Sequence, residues 1–392
     1  MHLEAFPSMS GVLAVVCVLV WLYLIGGRGA FWLGRVRDTG RENPELQQWP
    51  TVVAVIPARN ESPYIEASVT SLLRQEYAGL FSIIVVDDDS SDETAATATR
   101  VAETVHGRQL TVVRSKSPPP AGWAGKLWAL KQGIAAAELL RPEYLLLTDA
   151  DIVHAPDTLA WLVKQSSAGQ FVLTSLMAKL RCESLAERSH VPAFIYFFQM
   201  LFPFSWVCRS NSGVAGAAGG CMLVRADALA RAGGIASIRN ALIDDCSLAA
   251  RLKAIGPIWL SLTDRVRSIR PYSTLSDIKQ MISRSAYAQL RYSPLLLAAT
   301  IASMALTFIA PPLLAIFATG VPRFLGILAW IAMALSFAPT LRFYRQSLLW
   351  SMALPGIASL YLYYTLNSAY QYARGRGGQW KGRVQADATS LQ

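Results

Sequence analysis

A run of 18 residues without a charged side chain, residues 10–27, constrains the fold of this chain more than any other sequence feature. As a helix it is about 27 Å long, close to the thickness of a bilayer core. A cleaved signal peptide is the alternative interpretation. No Lys or Arg precedes the run, four arginines follow it between residues 28 and 41, and an A-x-A cleavage site is missing. We therefore predict an uncleaved transmembrane anchor over residues 1–28, followed by cytoplasmic chain.

Three more apolar runs lie near the C-terminus, at residues 295–318, 324–341 and 348–366. They predict a C-terminal transmembrane bundle of about three helices over residues 294–370, followed by a basic tail over residues 371–392. Three complete spans would put this tail outside the cell, whereas its positive charge favours the cytoplasm. The sequence does not decide on which side of the membrane the tail lies. The sequence thus predicts a multi-pass protein of the inner (cytoplasmic) membrane.

Residues 191–207 form an apolar segment of a different kind. It is uncharged and rich in aromatic side chains, contains two prolines, and is flanked by Arg188 and Arg209. Aromatic side chains and basic flanks are typical of segments at a membrane surface. We predict an interfacial or re-entrant helix, with a buried core helix as the alternative.

The composition supports this membrane assignment. Hydrophobic residues make up 53% of the chain and charged residues only 16%, whereas soluble domains carry roughly 25% charge. Disorder, a coiled coil and a nucleic-acid binder with a solvated basic surface are excluded. The net charge is +10, and the basic residues beside the C-terminal apolar runs indicate an anionic lipid surface as partner. Five scattered cysteines without a CxxC pair fit a reducing cytoplasm.

The part of the chain between the apolar runs has the pattern of an α/β domain. Four strand-like runs, residues 51–57, 81–89, 110–115 and 144–151, alternate with helical patterns such as residues 61–77 and 125–140. This alternation predicts a parallel sheet with crossover helices. Because ligands of such sheets bind at the carboxyl ends of the strands, functional side chains are expected there.

Two acidic clusters follow predicted strands. Asp87 and Asp88 stand on the end of a buried strand, where carboxylates can accept hydrogen bonds from a nucleobase or ribose. Asp92 and Glu93, a little further on, are interpreted as part of a solvated turn in which Ser90 or Ser91 caps the following helix. Asp149 and Asp151 follow another strand and can together hold a hard cation that bridges a diphosphate. An ordinary polar turn is the alternative for this second pair.

Other polar residues are predicted at the same edge of the sheet. Pro57 ends the first strand, and Asn60 and Glu61 follow it. Lys126 begins a helix, where a positive charge is unfavourable for the helix dipole. It is therefore interpreted as the partner of a bound phosphate, with a surface lysine as the alternative.

A later stretch supplies the remaining candidates. Gly219 and Gly220 would allow a substrate to approach the backbone closely. Asp244 and Asp245 begin an amphipathic helix, where one can cap the helix and the other can act as a general base. GxGxxG, GxxxxGK[ST] and GxSxG do not occur in the sequence, which sets aside dinucleotide, P-loop and α/β-hydrolase chemistry.

Taken in order, these motifs resemble the inverting glycosyltransferases of family 2, which have the GT-A fold. The motifs are VVAVIPARNE, IIVVDDDSSDET, GWAGKLWAL, LLLTDAD, GAAGGCMLV and IDDCSLAARL. The layout, with apolar helices at both ends, is similar to bacterial hopanoid-associated membrane glycosyltransferases and, more distantly, to ceramide glucosyltransferases. The resemblance implies a Rossmann-like GT-A catalytic domain over residues 50–290, including the aromatic segment, with transmembrane helices at both ends.

The resemblance also implies roles for individual residues. It assigns Asp245 to the catalytic base and Asp151 to the metal, Mg²⁺ or Mn²⁺. Gly219, Gly220 and Asp244 are predicted to lie on the acceptor side. The nucleotide-sugar would be bound by Pro57, Asn60, Glu61, Asp88, Lys126, Asp149 and Arg284. The sequence departs from the family pattern Q-x-x-R-W. Gln280 and Arg284 are present, but Ser285 replaces the tryptophan. In processive synthases that tryptophan belongs to the acceptor site, so its loss favours a single transfer.

The expected function is transfer of a sugar from a nucleotide diphosphosugar, UDP-linked, to a lipid acceptor of the hopanoid type. A polyprenyl-phosphate sugar transferase is the first alternative, and the net charge is compatible with it. A non-catalytic membrane lipid carrier with a nucleotide-sensing domain is the second. Nucleic acid is not an expected partner.

Overall fold

The computed structural model describes residues 9–39, 45–105, 108–115, 117–380 and 383–386. The chain divides into two compact units. We call the first the helical unit; it comprises Met1–Arg35, Cys182–Pro203 and Tyr272–Arg374. The second, the sheet unit, comprises Val36–Arg181, Phe204–Pro271 and Gly375–Gln392. Residues 1–8 of the predicted anchor, and residues 381–382 and 387–392 of the predicted tail, lie outside the described residues.

The sheet unit is built on one eight-stranded sheet with the order β3-β2-β1-β4-β7-β6-β8-β5. Its strands are β1 Val52–Ala58, β2 Phe81–Asp87, β3 Gln109–Arg114, β4 Tyr144–Thr148, β5 Ile152–His154, β6 Leu173–Lys179, β7 Cys221–Arg225 and β8 Ile258–Ser268. A separate hairpin, β9 Gly377–Trp380 and β10 Arg383–Ala386, lies within the predicted tail.

The α-helices of both units are numbered together in chain order. They are α1 Met9–Leu22, α2 Ser62–Leu73, α3 Thr94–Thr104, α4 Gly125–Glu138, α5 Thr158–Gly169, α6 Leu185–Leu201, α7 Phe204–Val207, α8 Ala226–Arg231, α9 Asp244–Lys253, α10 Leu275–Ser283, α11 Ala286–Gln289, α12 Pro294–Met304, α13 Ala310–Phe317, α14 Gly320–Phe343 and α15 Leu354–Ala373. Short 3₁₀ segments are Phe31–Leu33, Ile235–Ile238 and Leu348–Ser351, and π-helical segments are Tyr23–Gly27 and Ala305–Ile309.

The first half of the sheet is parallel, as the alternating pattern predicts. β1 pairs in parallel with β2 and with β4, and β2 pairs in parallel with β3. Every residue of β1 is buried, which is typical of a parallel strand covered on both faces. The carboxyl ends of β1, β2 and β4 therefore meet at one edge of the sheet.

The second half of the sheet is mixed, which the prediction of a parallel sheet did not include. β7 lies antiparallel between β4 and β6, and the short β5 pairs antiparallel with β8. Only β6 and β8 are parallel there, with an irregularity between Met177 and Lys179. The antiparallel strand β7 brings the residues just before it, Gly219 and Gly220, to the end of β4.

Helix α4 packs closely against β1 and β2 through Gly133. A Cβ atom at this position would lie 2.7 Å from Val86 Cγ2 and still closer to Val55 Cγ1. Real Cβ atoms do not approach other atoms so closely, so only glycine fits without a shift of the helix. Since Lys126 is in the first turn of α4, this contact also fixes the height of Lys126 relative to the strand ends.

In the helical unit, three helices among the described residues are long and apolar enough to cross a membrane. They are Met9–Gly27, Pro294–Phe317 and Gly320–Phe343. The last predicted C-terminal run falls partly in α15, which carries five tyrosines and is not among them. Within the unit, Trp21 Nε1 donates a hydrogen bond to the Thr307 carbonyl oxygen at 2.9 Å. That carbonyl lies in a π-helical segment, where the regular helical hydrogen bonding is altered.

The aromatic segment at residues 191–207 is divided between the two units. Its first part belongs to α6, whose buried residues include Val191, Ile195 and Tyr196. The Tyr196 hydroxyl lies 2.7 Å from Ser336 Oγ of α14, and its ring packs 5.3 Å from Phe337. Within the helical unit α6 thus packs against α14 through Tyr196, and an interfacial or re-entrant position of the segment stays a prediction. The remainder forms α7 in the sheet unit.

Candidate active site

The ends of β1 and β2 are joined by a network of loop contacts. The Asn60 side-chain oxygen accepts a hydrogen bond from Ser91 N at 2.9 Å, and Asn60 N donates to Ser90 Oγ at 3.0 Å. Asp92 accepts from Thr94 N at 3.1 Å and from Ser62 N at 3.1 Å. Asp92 therefore accepts hydrogen bonds from the first turns of both α2 and α3, whereas the N-cap of α3 is Glu93 and not Ser90 or Ser91.

Two buried carboxylates stand at the end of β2. Asp87 and Asp88 are 6% and 0% exposed. Arg59 lies beside them, donating to the Asp88 carbonyl oxygen and ion-pairing with the Asp88 carboxylate at 3.9 Å. Asp87 Oδ1 is buried and has no hydrogen-bond partner among the described residues. A buried acceptor without a donor costs free energy, so this position suits the donor groups of a ligand.

Lys126 connects two parts of the site. Its Nζ lies 2.8 Å from Asp149 Oδ1, after β4, and 3.1 Å from Asp244 Oδ2, at the start of α9. Burial disfavours the charge on Lys126, but Asp149 and Asp244 outweigh this effect and raise its pKa. Burial raises the pKa of the Asp149 carboxyl, and Lys126 opposes that shift. Lys126 is therefore a half-buried, charged link between the end of β4 and the start of α9.

Asp245 differs from its neighbour Asp244 in its partners. Its Oδ2 accepts a hydrogen bond from Gly219 N at 2.9 Å, and its Oδ1 accepts from Cys246 N at 2.7 Å. Burial, together with the charge of Asp244, raises the pKa of Asp245 to about 6. Asp244 instead points to Lys126, and neither residue is the N-cap of α9, which is Ile243. The two acids thus face different partners, and Asp245 has the pKa suited to a general base.

The two predicted glycines have different surroundings. A Cβ at Gly219 would lie 3.4 Å from Asp245 Oδ2 and 3.4 Å from Lys126 Nζ, so the open space at Gly219 is part of the site. A Cβ at Gly220 would instead meet Ile152 and Ala178, which belong to the core. Gly219 therefore lies against the site, whereas Gly220 faces inward.

Glu61 and Asp151 share a cation that the sequence analysis did not identify. Arg270 Nη2 lies 2.8 and 2.6 Å from the two carboxylate oxygens of Glu61. Its Nε lies 3.3 Å from Asp151 Oδ2, which also accepts a hydrogen bond from Ser268 Oγ at 2.7 Å. Arg270 follows β8, a strand that the sequence analysis did not predict. The sequence signal for Arg270 would have been a basic residue directly after a strand-like run.

Two predicted site residues are placed differently from the rest. Pro57 does not end β1, which continues to Ala58 in register with Asp87 of β2. It lies beyond the last pair with β4, Val55 with Leu147, so no N–H is needed on that side. Arg284 is the C-cap of α10, which belongs to the helical unit.

The site as a whole is rich in negative charge. Buried or half-buried carboxylates outnumber cations seven to three. The carboxylates are Glu61, Asp87, Asp88, Asp149, Asp151, Asp244 and Asp245, and the cations are Arg59, Lys126 and Arg270. A further positive charge would therefore be bound favourably at this edge of the sheet.

The carboxylates of the site fit a divalent cation whose coordination is completed by substrate phosphates. Within the described ranges, no group of three or more His, Cys, Asp or Glu side chains could hold a metal ion. Asp151 and Asp149 offer one or two carboxylates, and this is the number that Mg²⁺ usually takes when substrate phosphates complete its coordination. The residues therefore suit a cation that is bound together with a diphosphate.

Comparison with known proteins agrees with the order of the motifs. Residues 53–233 match the model of the family described as glycosyl transferase family 2, which is the family that the motifs resemble. An N-acetylglucosaminyltransferase of Mesorhizobium japonicum is 29% identical over 156 residues, 39% of this chain and 35% of that protein. A probable glycosyltransferase of Bacillus subtilis is 28% identical over 156 residues, 40% of this chain and 34% of that protein. The chain thus spans about a third of the length of these relatives.

The fold has a solved counterpart. It is a mannosyltransferase from Pyrobaculum calidifontis in complex with GDP-Man and Mn²⁺, with a TM-score of 0.53 and 20% identity. The alignment covers 92% of this chain and 98% of that one. At this identity the likeness concerns the fold alone, and the predicted GT-A type of sheet is confirmed.

Proposed function

We propose that this protein is a membrane-bound inverting glycosyltransferase that moves a sugar from a nucleotide diphosphosugar to the hydroxyl group of a lipid. The observation that carries the proposal is the geometry around Lys126. This lysine links the strand-end acids after β4 to the start of α9, where Asp245 has a pKa of about 6. A phosphate-binding cation next to a carboxyl base is the arrangement that glycosyl transfer to a hydroxyl requires.

The donor is proposed to bind at the carboxyl ends of β1, β2 and β4. Asp87 and Asp88 would accept hydrogen bonds from the base or ribose, and Lys126 would pair with the diphosphate. We infer a UDP-linked sugar from the family resemblance. Relatives named N-acetylglucosaminyltransferase support a nucleotide-sugar donor, and the structural counterpart was solved with GDP-Man.

A divalent cation fits this donor site. Asp151, with Asp149 beside it, would hold the cation, and the Mn²⁺ of the structural counterpart supports Mn²⁺ or Mg²⁺. When bound, such a cation neutralises negative charge on the leaving diphosphate. The chain contributes the positive charge of Lys126 to the same task.

The transfer itself needs one base. Asp245 would take the proton of the acceptor hydroxyl while its oxygen forms a bond to the anomeric carbon. The bond from that carbon to the diphosphate oxygen breaks, and its electron pair leaves with the nucleotide. A single displacement of this kind inverts the anomeric configuration and involves no covalent intermediate.

A lipid acceptor is supported by the three apolar helices of the same chain, and the hopanoid type is inferred from the resemblance of the layout. A polyprenyl phosphate is the rival acceptor. Its phosphate oxygen already carries a negative charge and needs no base. The raised pKa of Asp245 therefore favours a hydroxyl acceptor.

The test is a transfer assay with the purified full-length protein in lipid nanodiscs. Radiolabelled UDP-sugars are supplied with a hydroxylated hopanoid or with a polyprenyl phosphate, and the lipid products are identified by mass spectrometry. We expect a glycosylated hopanoid-type lipid, and no product with Asp245→Asn. Asp227→Asn is the matched control, since Asp227 is an exposed acid paired with Arg225 on α8. Product only on polyprenyl phosphate, or equal activity of Asp245→Asn, would contradict the proposal.

A further inference from the structure

Arg270 is a half-buried cation that forms ion pairs with two residues, which are proposed to bind the donor and its metal. Glu61 lies after β1 and Asp151 after β4, and their side chains are only 9% and 13% exposed. Arg270 touches both, at 2.6 Å from Glu61 Oε2 and 3.3 Å from Asp151 Oδ2. Without this cation two poorly solvated carboxylates would share one corner of the site, which is unfavourable.

The backbone next to Arg270 is fixed to Asp151. Ile269 N donates a hydrogen bond to the Asp151 carbonyl oxygen at 3.0 Å, and Ser268 pairs with Ile152 in the sheet. Pro271 follows Arg270 and restricts its backbone to extended conformations. Any rearrangement at this place must therefore come from the side chain of Arg270, which is long and 23% exposed.

The Arg270 guanidinium and a divalent cation would compete for the same carboxylate. Asp151 Oδ2 already accepts Ser268 Oγ at 2.7 Å and lies against Arg270 Nε. A metal on Asp151 would bring a second positive charge next to the guanidinium, and the two would repel each other. A nucleotide diphosphate brings negative charge that can attract Arg270 away from Asp151, since arginine binds phosphate oxygens well.

We propose that Arg270 acts as a built-in counter-cation of the donor site and sets the order of binding. In the donor-free protein it neutralises Glu61 and Asp151 and keeps divalent cations off Asp151. When a nucleotide diphosphate arrives, Arg270 turns to the diphosphate and Asp151 becomes open to the metal. This inference rests on the proposed function for the identity of the site.

The test measures binding rather than transfer. Mn²⁺ is titrated into the full-length protein with and without UDP or GDP, and free Mn²⁺ is followed by its electron paramagnetic resonance signal. For the wild type we expect weak Mn²⁺ binding alone and much tighter binding with nucleotide. Arg270→Gln should tighten Mn²⁺ binding alone by about tenfold or more, because the repulsion between the guanidinium and the metal is removed. It should also weaken nucleotide binding by about tenfold or more, because a charge-assisted contact is lost.

Two further variants make the outcome decisive. Arg270→Lys keeps the charge, so it should stay folded and bind Mn²⁺ alone as weakly as the wild type. It should bind nucleotide less well because it lacks the planar guanidinium. Arg225→Gln removes an arginine that pairs with Asp227 on the surface and should change neither binding. Mn²⁺ binding alone that is equal in the wild type and Arg270→Gln would overturn the inference. Wild-type protein that binds neither UDP nor GDP would instead contradict the proposed donor site.

Discussion

Asp245 is the residue on which the proposed chemistry depends most, and its pKa gives a testable pH dependence. The fold raises that pKa from 3.8 to about 6, so folding favours the protonated form, and this contribution to stability is lost as the pH rises from 3.8 to about 6. A base must be ionised to accept a proton, so activity changes in the opposite direction. We predict that kcat/KM falls about tenfold per pH unit below pH 6. A profile that stays flat to pH 4.5 would show that Asp245 does not titrate as the base.

Asp151 provides a second prediction at the residue scale, on metal dependence. Chelation with EDTA should abolish transfer, and added Mn²⁺ or Mg²⁺ should restore it. Asp151→Asn should lose activity that no added metal restores, while its melting temperature stays near that of the wild type, since the amide oxygen can still accept the hydrogen bond of Ser268. Full activity in excess EDTA would refute the role of the metal.

Sequence alone locates some site residues better than others, for a physical reason. Asp88, Lys126 and Asp149 follow strand or helix boundaries that hydrophobic periodicity reveals, so their shared position at the sheet edge can be predicted. Arg270 reaches Glu61 only because β8 pairs with β5 far along the chain. No local pattern records that pairing. The sequence also does not show that Asp244 pairs with Lys126 whereas Asp245 accepts a hydrogen bond from Gly219 N. Only the three-dimensional structure distinguishes these two neighbouring acids.

At the scale of elements, the contact of α4 with the sheet gives a prediction about stability. Gly133→Ala places a methyl group against Val55 and Val86, so the helix must move away from the sheet. Overpacking of this kind typically costs about 1–3 kcal/mol. We expect a lower melting temperature and a raised KM for the donor, because Lys126 moves with the helix. Gly213→Ala is the control, since a Cβ there meets nothing within 4 Å. Equal melting temperatures of the two variants would contradict this packing account.

Sequence patterns predict only some of the strands and their pairing. β1, β2, β3 and β4 and their parallel pairing follow from alternating strand and helix patterns. The mixed half of the sheet does not, because β7 inserts antiparallel between β4 and β6 without a distinctive sequence signal. The length of apolar runs is a stronger guide, since residues 295–318 and 324–341 appear as Pro294–Phe317 and Gly320–Phe343.

At the scale of the whole molecule, the predicted orientation in the membrane can be measured. The arginines that follow the first apolar run predict a cytoplasmic sheet unit. Leu139 at the end of α4 is 84% exposed, so Leu139→Cys offers a reactive thiol, whereas the native cysteines are buried or half-buried. A membrane-impermeant maleimide should label this variant only after cells are permeabilised, with the unsubstituted protein as background. Rapid labelling in intact cells would reverse the orientation.

The most direct measurement of the central claim compares transfer kinetics of Asp245→Asn and Asp244→Asn. Loss of a general base typically costs about 10²–10⁴ in rate, so Asp245→Asn should lose kcat while its donor affinity and melting temperature stay close to normal. Asp244→Asn removes one partner of Lys126, which keeps Asp149 at 2.8 Å, so it should retain substantial kcat with weaker donor binding. An inactive Asp244→Asn beside an active Asp245→Asn would contradict the account.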